Sequence, residues 1–210
     1  ADKRIAKFRH PLPTERPMLG GSLQERSVLG YVMVVGGFNR EGLVISITRF
    51  CQVGAIPADI PGAYDRICAV DAIMQEETRP GRTLGRVFSS CQQAYADMGF
   101  APNEWNRHHH GGATGYGNRT CTATPEEGFL IGEPRGMQRV GAIPGNAVEF
   151  GMAFAWNPTA PGVKSEDTFL RNPDGSAEII TRTPRLPQVE LDRVLGRETT
   201  VVKSGILKSR

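Results

Sequence analysis

The chain has 210 residues with a 39% hydrophobic and 22% charged composition, enough apolar material for one packed domain over 1–210 and too much for wholesale disorder. A formal charge of +3 with no dense Lys/Arg stripe excludes an obvious nucleic-acid footprint. No apolar run approaches the roughly 18 residues that span a bilayer.

The opening "ADKRIAKFRH" is charged throughout and carries no secretory pattern; it reads as the inside of a longer sequence. The cysteines, Cys51, Cys68, Cys91 and Cys121, form no CxxC pair and sit in apolar segments. They are expected as reduced core thiols in a cytoplasmic compartment.

In chain order, "YVMVVGG" at 31–37 and "EGLVISITRFCQVG" at 41–54 are β-branched strands joined by the polar turn "FNRE", which predicts an antiparallel hairpin. Ile60, Tyr64, Ile67, Cys68, Asp71 and Met74 recur three or four apart, predicting a helix from about Asp59 to Thr78 that "RPG" stops. Thr83 is the expected N-cap of a second helix with the stripe Leu84, Val87, Phe88, Cys91, Tyr95 and Met98, ended by Gly99.

"APNEWNRHHHGGATGYGNRT" is glycine-rich and polar, and is expected as loop or irregular strand. Strands follow at 148–159, 165–172 and 176–183, the last two joined by the turn "NPDG". The remainder is a weakly patterned tail. A hairpin, two helices and further strands predict an α+β domain with a mostly antiparallel sheet.

Three of the four histidines stand together at 108–110. On an extended strand His108 and His110 point one way and His109 the other. The following glycines let backbone approach a ligand closely.

Four stretches, "FRHPLPT", "VGGFNREGLVISITRF", "HHHGGATGYGNR" and "MAFAWNPTAPGVKSEDT", together resemble the family of methionine aminopeptidases, Xaa-Pro aminopeptidases and creatinase. The resemblance covers residues 8 to 185 and implies the pita-bread fold, a curved, mostly antiparallel sheet covered by helices. It also implies that the family's first helical pair is absent from this chain. A sheet face would then be bare, to be covered by a homo-oligomeric mate, a partner chain or another segment.

Metal-dependent members hold two ions with two Asp, one His and two Glu. Matched position by position, those ligands fall at Val35, Ser46, Gly112, Asn157 and Glu166, and only Glu166 keeps its type. A pair of divalent cations needs several anionic oxygens to offset dehydration. No metal and no cofactor are therefore expected.

By the same resemblance His10 occupies the place of a cleft histidine and, with His109 or His110, would shuttle protons, an imidazole being suited to that near neutral pH. Glu166 would act as base or as an amine-binding carboxylate, paired with Lys164 two residues away. Arg119 would clamp a substrate carboxylate with two parallel hydrogen bonds. Asn157, Gly112, Tyr116 and Trp156 would complete the substrate pocket.

The expectation is a metal-independent hydrolase or C–N-cleaving enzyme acting on a small carboxylate-bearing amide, amidine or peptide-like substrate. One alternative is a non-catalytic binding or scaffold protein. Another is an Xaa-Pro-type metallopeptidase with ligands re-sited to His108, His110 and Glu166. Neither nucleic acid nor membrane is an expected partner.

Overall fold

The computed structural model describes residues 30–41, 43–115, 148 and 151–209, with the short strands at 5–6, 122–124, 128–131 and 138–140. The expected hairpin forms from β2 (Gly30–Arg40) and β3 (Leu43–Val53), paired in one register from Gly30↔Val53 to Arg40↔Leu43. Strand β2 takes Phe38–Arg40, expected in the turn, and β3 begins at Leu43. Glu41, just past β2, has a left-handed φ of 52. Strand β1 (Ile5–Ala6) lies along β2, and β15 (Leu207–Ser209) runs parallel to β3 at its other edge.

Alternation gives this hairpin two unlike faces. Tyr31, Met33, Thr48 and Phe50 turn inward, with Phe50 stacked on Tyr31 at 4.8 Å and edge-on to Tyr64 at 5.3 Å. The opposite face carries Val34, Gly36, Phe38 and Ile47; the Phe38 ring lies over Gly36, and a Cβ there would stand 2.9 Å from it. Val34 and Phe38 remain about half exposed.

Both helices form where the periodicity put them, α1 over Asp59–Glu77 and α2 over Leu84–Asp97. The whole α1 stripe is buried, and Ala69, Val70, Ala72, Ile73 and Gln75 are buried too, so α1 is packed on several sides. Cys68 and Cys91 are free and fully buried in this layer, and burial pushes the Cys68 thiol up to about 12.

Helix α1 ends in side-chain caps. Thr78 Oγ1 donates to Met74 O at 2.6 Å, and the buried Arg171 guanidinium donates to the carbonyls of Gln75 and Thr78. At the start of α2, Thr83 Oγ1 accepts from Arg86 N at 3.3 Å, as its N-cap role requires.

The glycine-rich segment holds a short 3-10 turn (Glu104–Arg107) and then β4 (Gly111–Ala113). Antiparallel pairing continues through β5 (Thr122–Thr124), β6 (Gly128–Ile131) and β7 (Gln138–Val140) on one side. On the other stand β8 (Ala153–Trp156), β11 (Asp167–Arg171) and β12 (Ala177–Ile179). Strand β8 is shorter than the expected 148–159, because Val148 bonds the connection between the helices, accepting from Gly81 N and donating to Arg82 O. The strands expected over 165–172 and 176–183 shorten likewise.

Between β8 and β11, β9 (Thr159–Ala160) and β10 (Val163–Lys164) make a small hairpin. The expected weakly patterned tail is instead a hairpin of β13 (Gln188–Val194) and β14 (Arg197–Ser204) that packs on α1, followed by β15. Its tip, Leu195–Gly196, has positive φ at both residues, 51 and 77.

The two main sheets join along β3. Val44 and Gly115 exchange backbone bonds, Ser46 N donates to Thr168 Oγ1 at 2.9 Å, and Thr48 N donates to Glu166 O at 3.1 Å. The result is one mostly antiparallel surface with α1 and α2 packed against it, the expected α+β architecture. Among the described residues no helix is long and apolar enough to cross a membrane.

Candidate functional site

Where the sheets meet, strand register gathers the positions matched to the family's ligands. Val35 pairs with Thr48, and Ser46 with Gly37, so Val35, Ser46 and Thr48 share one face of the hairpin. Asp167 pairs with Trp156 and Ser165 N donates to Pro158 O, which sets Asn157 directly across from Glu166. Gly112 stands opposite Ala155, and Ala155 opposite Thr168.

Glu166 is the chemical centre of this junction. It is buried, and its Oε2 accepts from Thr48 Oγ1 at 2.5 Å and meets Lys164 Nζ at 3.0 Å. The expected Lys164–Glu166 pair thus forms, although β10 ends at Lys164. A neighbouring buried acceptor, Asn157 Oδ1, has no protein partner. Such an oxygen is costly until something donates to it.

Residues beside Glu166 are tied down by charge. Arg49 Nη2 bonds Asp167 Oδ1 at 2.6 Å, and Arg49 Nη1 donates to the Glu166 carbonyl at 3.2 Å. Thr181 Oγ1 donates to the same Asp167 oxygen at 2.8 Å. Ser165 Oγ donates to Asp71 Oδ2 at 2.5 Å, and the fully buried Lys203 Nζ lies 2.5 Å from that oxygen and 3.7 Å from Asp167 Oδ2. Sequence reasoning missed Thr48, Arg49, Asp71 and Lys203 as site groups. One signal was present: an acid, Asp71, in the middle of an apolar helical stripe must be paired if buried.

The histidine run divides. His110 is fully enclosed in the helical layer, its ring 5.5 Å from Phe88 and 5.6 Å from Tyr95, with Nε2 bonded to Trp105 O at 2.5 Å. Burial lowers its pKa to about 4, and Nδ1 has no partner. His109 is exposed and stacks on the His108 ring at 4.5 Å.

The cause is Gly111, whose φ of +80 turns the chain between His110 and β4. A Cβ at Gly111 would lie 2.0 Å from Ala155 O, so that position admits no side chain. Trp156, expected to line the pocket, is also in the core: it is fully buried, and its indole N–H donates to Thr78 Oγ1 at 2.8 Å. Both corrections share a reason, since each ring points into the helices. His10, Tyr116 and Arg119 lie outside the described residues.

The residues present do not fit a metal pair. Val35 and Gly112 offer no donor atom in a side chain, Asn157 offers a neutral amide, and the one carboxylate already holds an ammonium group. Among the described residues no three His, Cys, Asp or Glu side chains converge as a metal site would require, the set His108, His110 and Glu166 included.

No protein-family model matches the chain, and no curated protein matches its sequence. Solved structures share its fold. The prolidase from Pyrococcus horikoshii OT3 aligns at a TM-score of 0.56 and 21% identity, covering 87% of this chain and 48% of that one. A recombinant prolidase from Thermococcus sibiricus gives 0.54 and 18%, covering 81% and 42%. The X-Pro aminopeptidase from Thermotoga maritima MSB8 gives 0.52 and 14%, covering 85% and 42%. The chain thus spans less than half the length of these proteins, and the likeness is one of fold, the pita-bread fold.

Proposed function

We propose that this chain is a catalytic-type domain of the prolidase-like, pita-bread hydrolases that cleaves a C–N bond without a metal pair. Its substrate is a small carboxylate-bearing amide, amidine or peptide-like molecule. The observation that carries this reading is Lys164 Nζ held 3.0 Å from the buried Glu166, the position that by the resemblance would ligate metal.

In this reading Glu166 takes a proton from water as the water oxygen forms its bond to the substrate carbon. The C–N bond then breaks, and the proton passes to the departing nitrogen. Lys164 opposes the negative charge that develops, and Asn157 Oδ1 accepts from a substrate N–H. Gly112 leaves room where a ligand side chain would stand.

From the resemblance, His10 carries protons and Arg119 anchors the substrate carboxylate; of His109 and His110, the exposed His109 is the one outside the helical layer. Glu166→Gln tests this on a panel of dipeptides and small amides with chelator present. The variant should lose about 10²–10⁴-fold in kcat while remaining folded, at a lower unfolding temperature because the buried Lys164 then faces a neutral amide. Unchanged kcat in a folded variant would remove Glu166 from the chemistry.

A second reading, a binding module without chemistry, draws on the outward face of β2 and β3. Val34 at 47% and Phe38 at 48% exposure sit on an apolar sheet face of the kind that marks a protein contact. A helical segment, a partner chain or a second copy covering it is compatible with either reading.

A further inference from the structure

Three buried charges, Asp71, Asp167 and Lys203, and the part-buried Arg49 surround the backbone of the reactive segment, and the proposed chemistry uses none of them. Two acids face two bases, so the cluster is neutral as a whole, which is the condition under which charges persist at almost no exposure. Its members come from distant parts of the chain: β3, α1, β11 and β14.

Lys203 is the junction. It touches Asp71, which holds Ser165, and it approaches Asp167 directly. Ser165 and Asp167 are the residues immediately before and after Glu166. A single ammonium group on the C-terminal hairpin therefore ties both neighbours of the proposed base. Arg49 closes the arrangement from the other sheet, through Asp167 and the Glu166 carbonyl.

We infer that Lys203 is a positioning residue for Glu166: through Asp71–Ser165 on one side and Asp167 on the other, it fixes the height of the carboxylate over the Thr48–Lys164 face. The inference rests on the reading of Glu166 as the reactive carboxylate. The need for such a clamp follows from the local chain. Between Lys164, where β10 ends, and Asp167, where β11 begins, Ser165 and Glu166 belong to no strand; each keeps one backbone bond, Ser165 N to Pro158 O and Thr48 N to Glu166 O, and the side-chain ties add the remaining restraint. Small misplacement of a reacting group is expensive in rate, about a hundredfold for 1 Å. Burial raises the Asp71 carboxyl pKa, while Lys203 and then the Ser165 hydroxyl oppose that rise.

Two full-chain variants test it. Lys203→Met removes the charge and keeps the stem; Lys203→Met with Asp71→Asn also removes the orphaned acid, so that a folded protein is available if the single variant collapses. The first readout is amide hydrogen exchange at Thr48, whose N–H donates to the Glu166 carbonyl. The second is the carboxyl ¹³C resonance of Glu166 at neutral pH.

In whichever variant folds, Thr48 exchange should quicken about tenfold or more and the Glu166 resonance should move, while the Val87 amide of α2 keeps its wild-type rate. Thr48 and Glu166 signals identical to wild type would overturn the inference. Neither readout needs turnover: failure of the hydrolase reading would show as an inactive wild-type protein, and failure of the clamp as unchanged spectra. Where a substrate is turned over, kcat should fall in the variants with KM little altered.

Discussion

Gly111 is the position where backbone geometry makes the sharpest demand, and Gly111→Ala measures it. Two separable costs arise. A side chain at φ +80 occupies the left-handed region, at about 1–2 kcal/mol. The new Cβ would also stand 2.0 Å from Ala155 O, against an ordinary carbon–oxygen contact of about 3.3 Å. Relieving that overlap moves β4 from β8 by about 1.3 Å. Such a shift weakens the Gly111↔Trp156 pairing and the Asn157 N to His110 O bond, at about 1 kcal/mol for each bond lost. The expected total is about 3–5 kcal/mol, a large share of the 5–15 kcal/mol that holds a typical domain together.

Gly196→Ala is the matched control, with φ +77 but open space around its Cβ, so it should cost only the backbone part, about 1–2 kcal/mol. Urea unfolding followed by tryptophan fluorescence gives both values. Equal destabilisation by the two substitutions would refute the steric reasoning and return Gly111 to the status of an ordinary turn glycine.

Other outcomes follow from the same geometry. His110→Phe should flatten the acid limb of the stability curve. Because the folded pKa is depressed from 6.5 to about 4, the unfolded chain binds the proton first; stability is full above about pH 6.5 and declines as pH falls toward 4, by about 3 kcal/mol. A wild-type curve already flat over that range would contradict the buried neutral imidazole. Arg171→Met strips the C-terminal carbonyls of α1 of their guanidinium and should destabilise by about 2–4 kcal/mol in thermal unfolding. Thr83→Ala should cost about 1 kcal/mol by loss of the α2 N-cap, and a change below a few tenths would show the Arg86 N bond to be idle.

Much of this architecture could be read from local pattern. The hairpin, both helices and the Thr83 cap are written in spacings of two, three and four residues. Local patterns also produced the errors. The stretch 148–159 looks like one strand by composition, yet Val148 serves the turn at 81–82, a contact no local window contains. The tail looked weakly patterned because the β13–β14 hairpin buries its apolar side on α1 and β15 is completed by β3, both far away in sequence.

The site behaves in the same manner. Glu166 was legible from the resemblance, and its pairing with Lys164 from their closeness in sequence, although Glu166 lies past the end of β10. Lys203 was not, since nothing between 71 and 203 announces that those charges meet. His110 and Trp156 were misplaced because an aromatic ring in a strand reads the same whether it faces a cleft or a helix. The turn imposed by Gly111 decides the matter for His110.

The central claim of the proposed function is electrostatic: with Val35, Ser46, Gly112 and Asn157 at the matched positions and Glu166 paired to Lys164, we propose that this junction holds no pair of divalent cations. Equilibrating the chain with zinc, manganese or cobalt, removing free ions and counting bound metal by elemental analysis tests it most directly. We predict well under one ion per chain, with turnover unaffected by chelator. Two ions per chain, lost together with activity on stripping, would contradict the account.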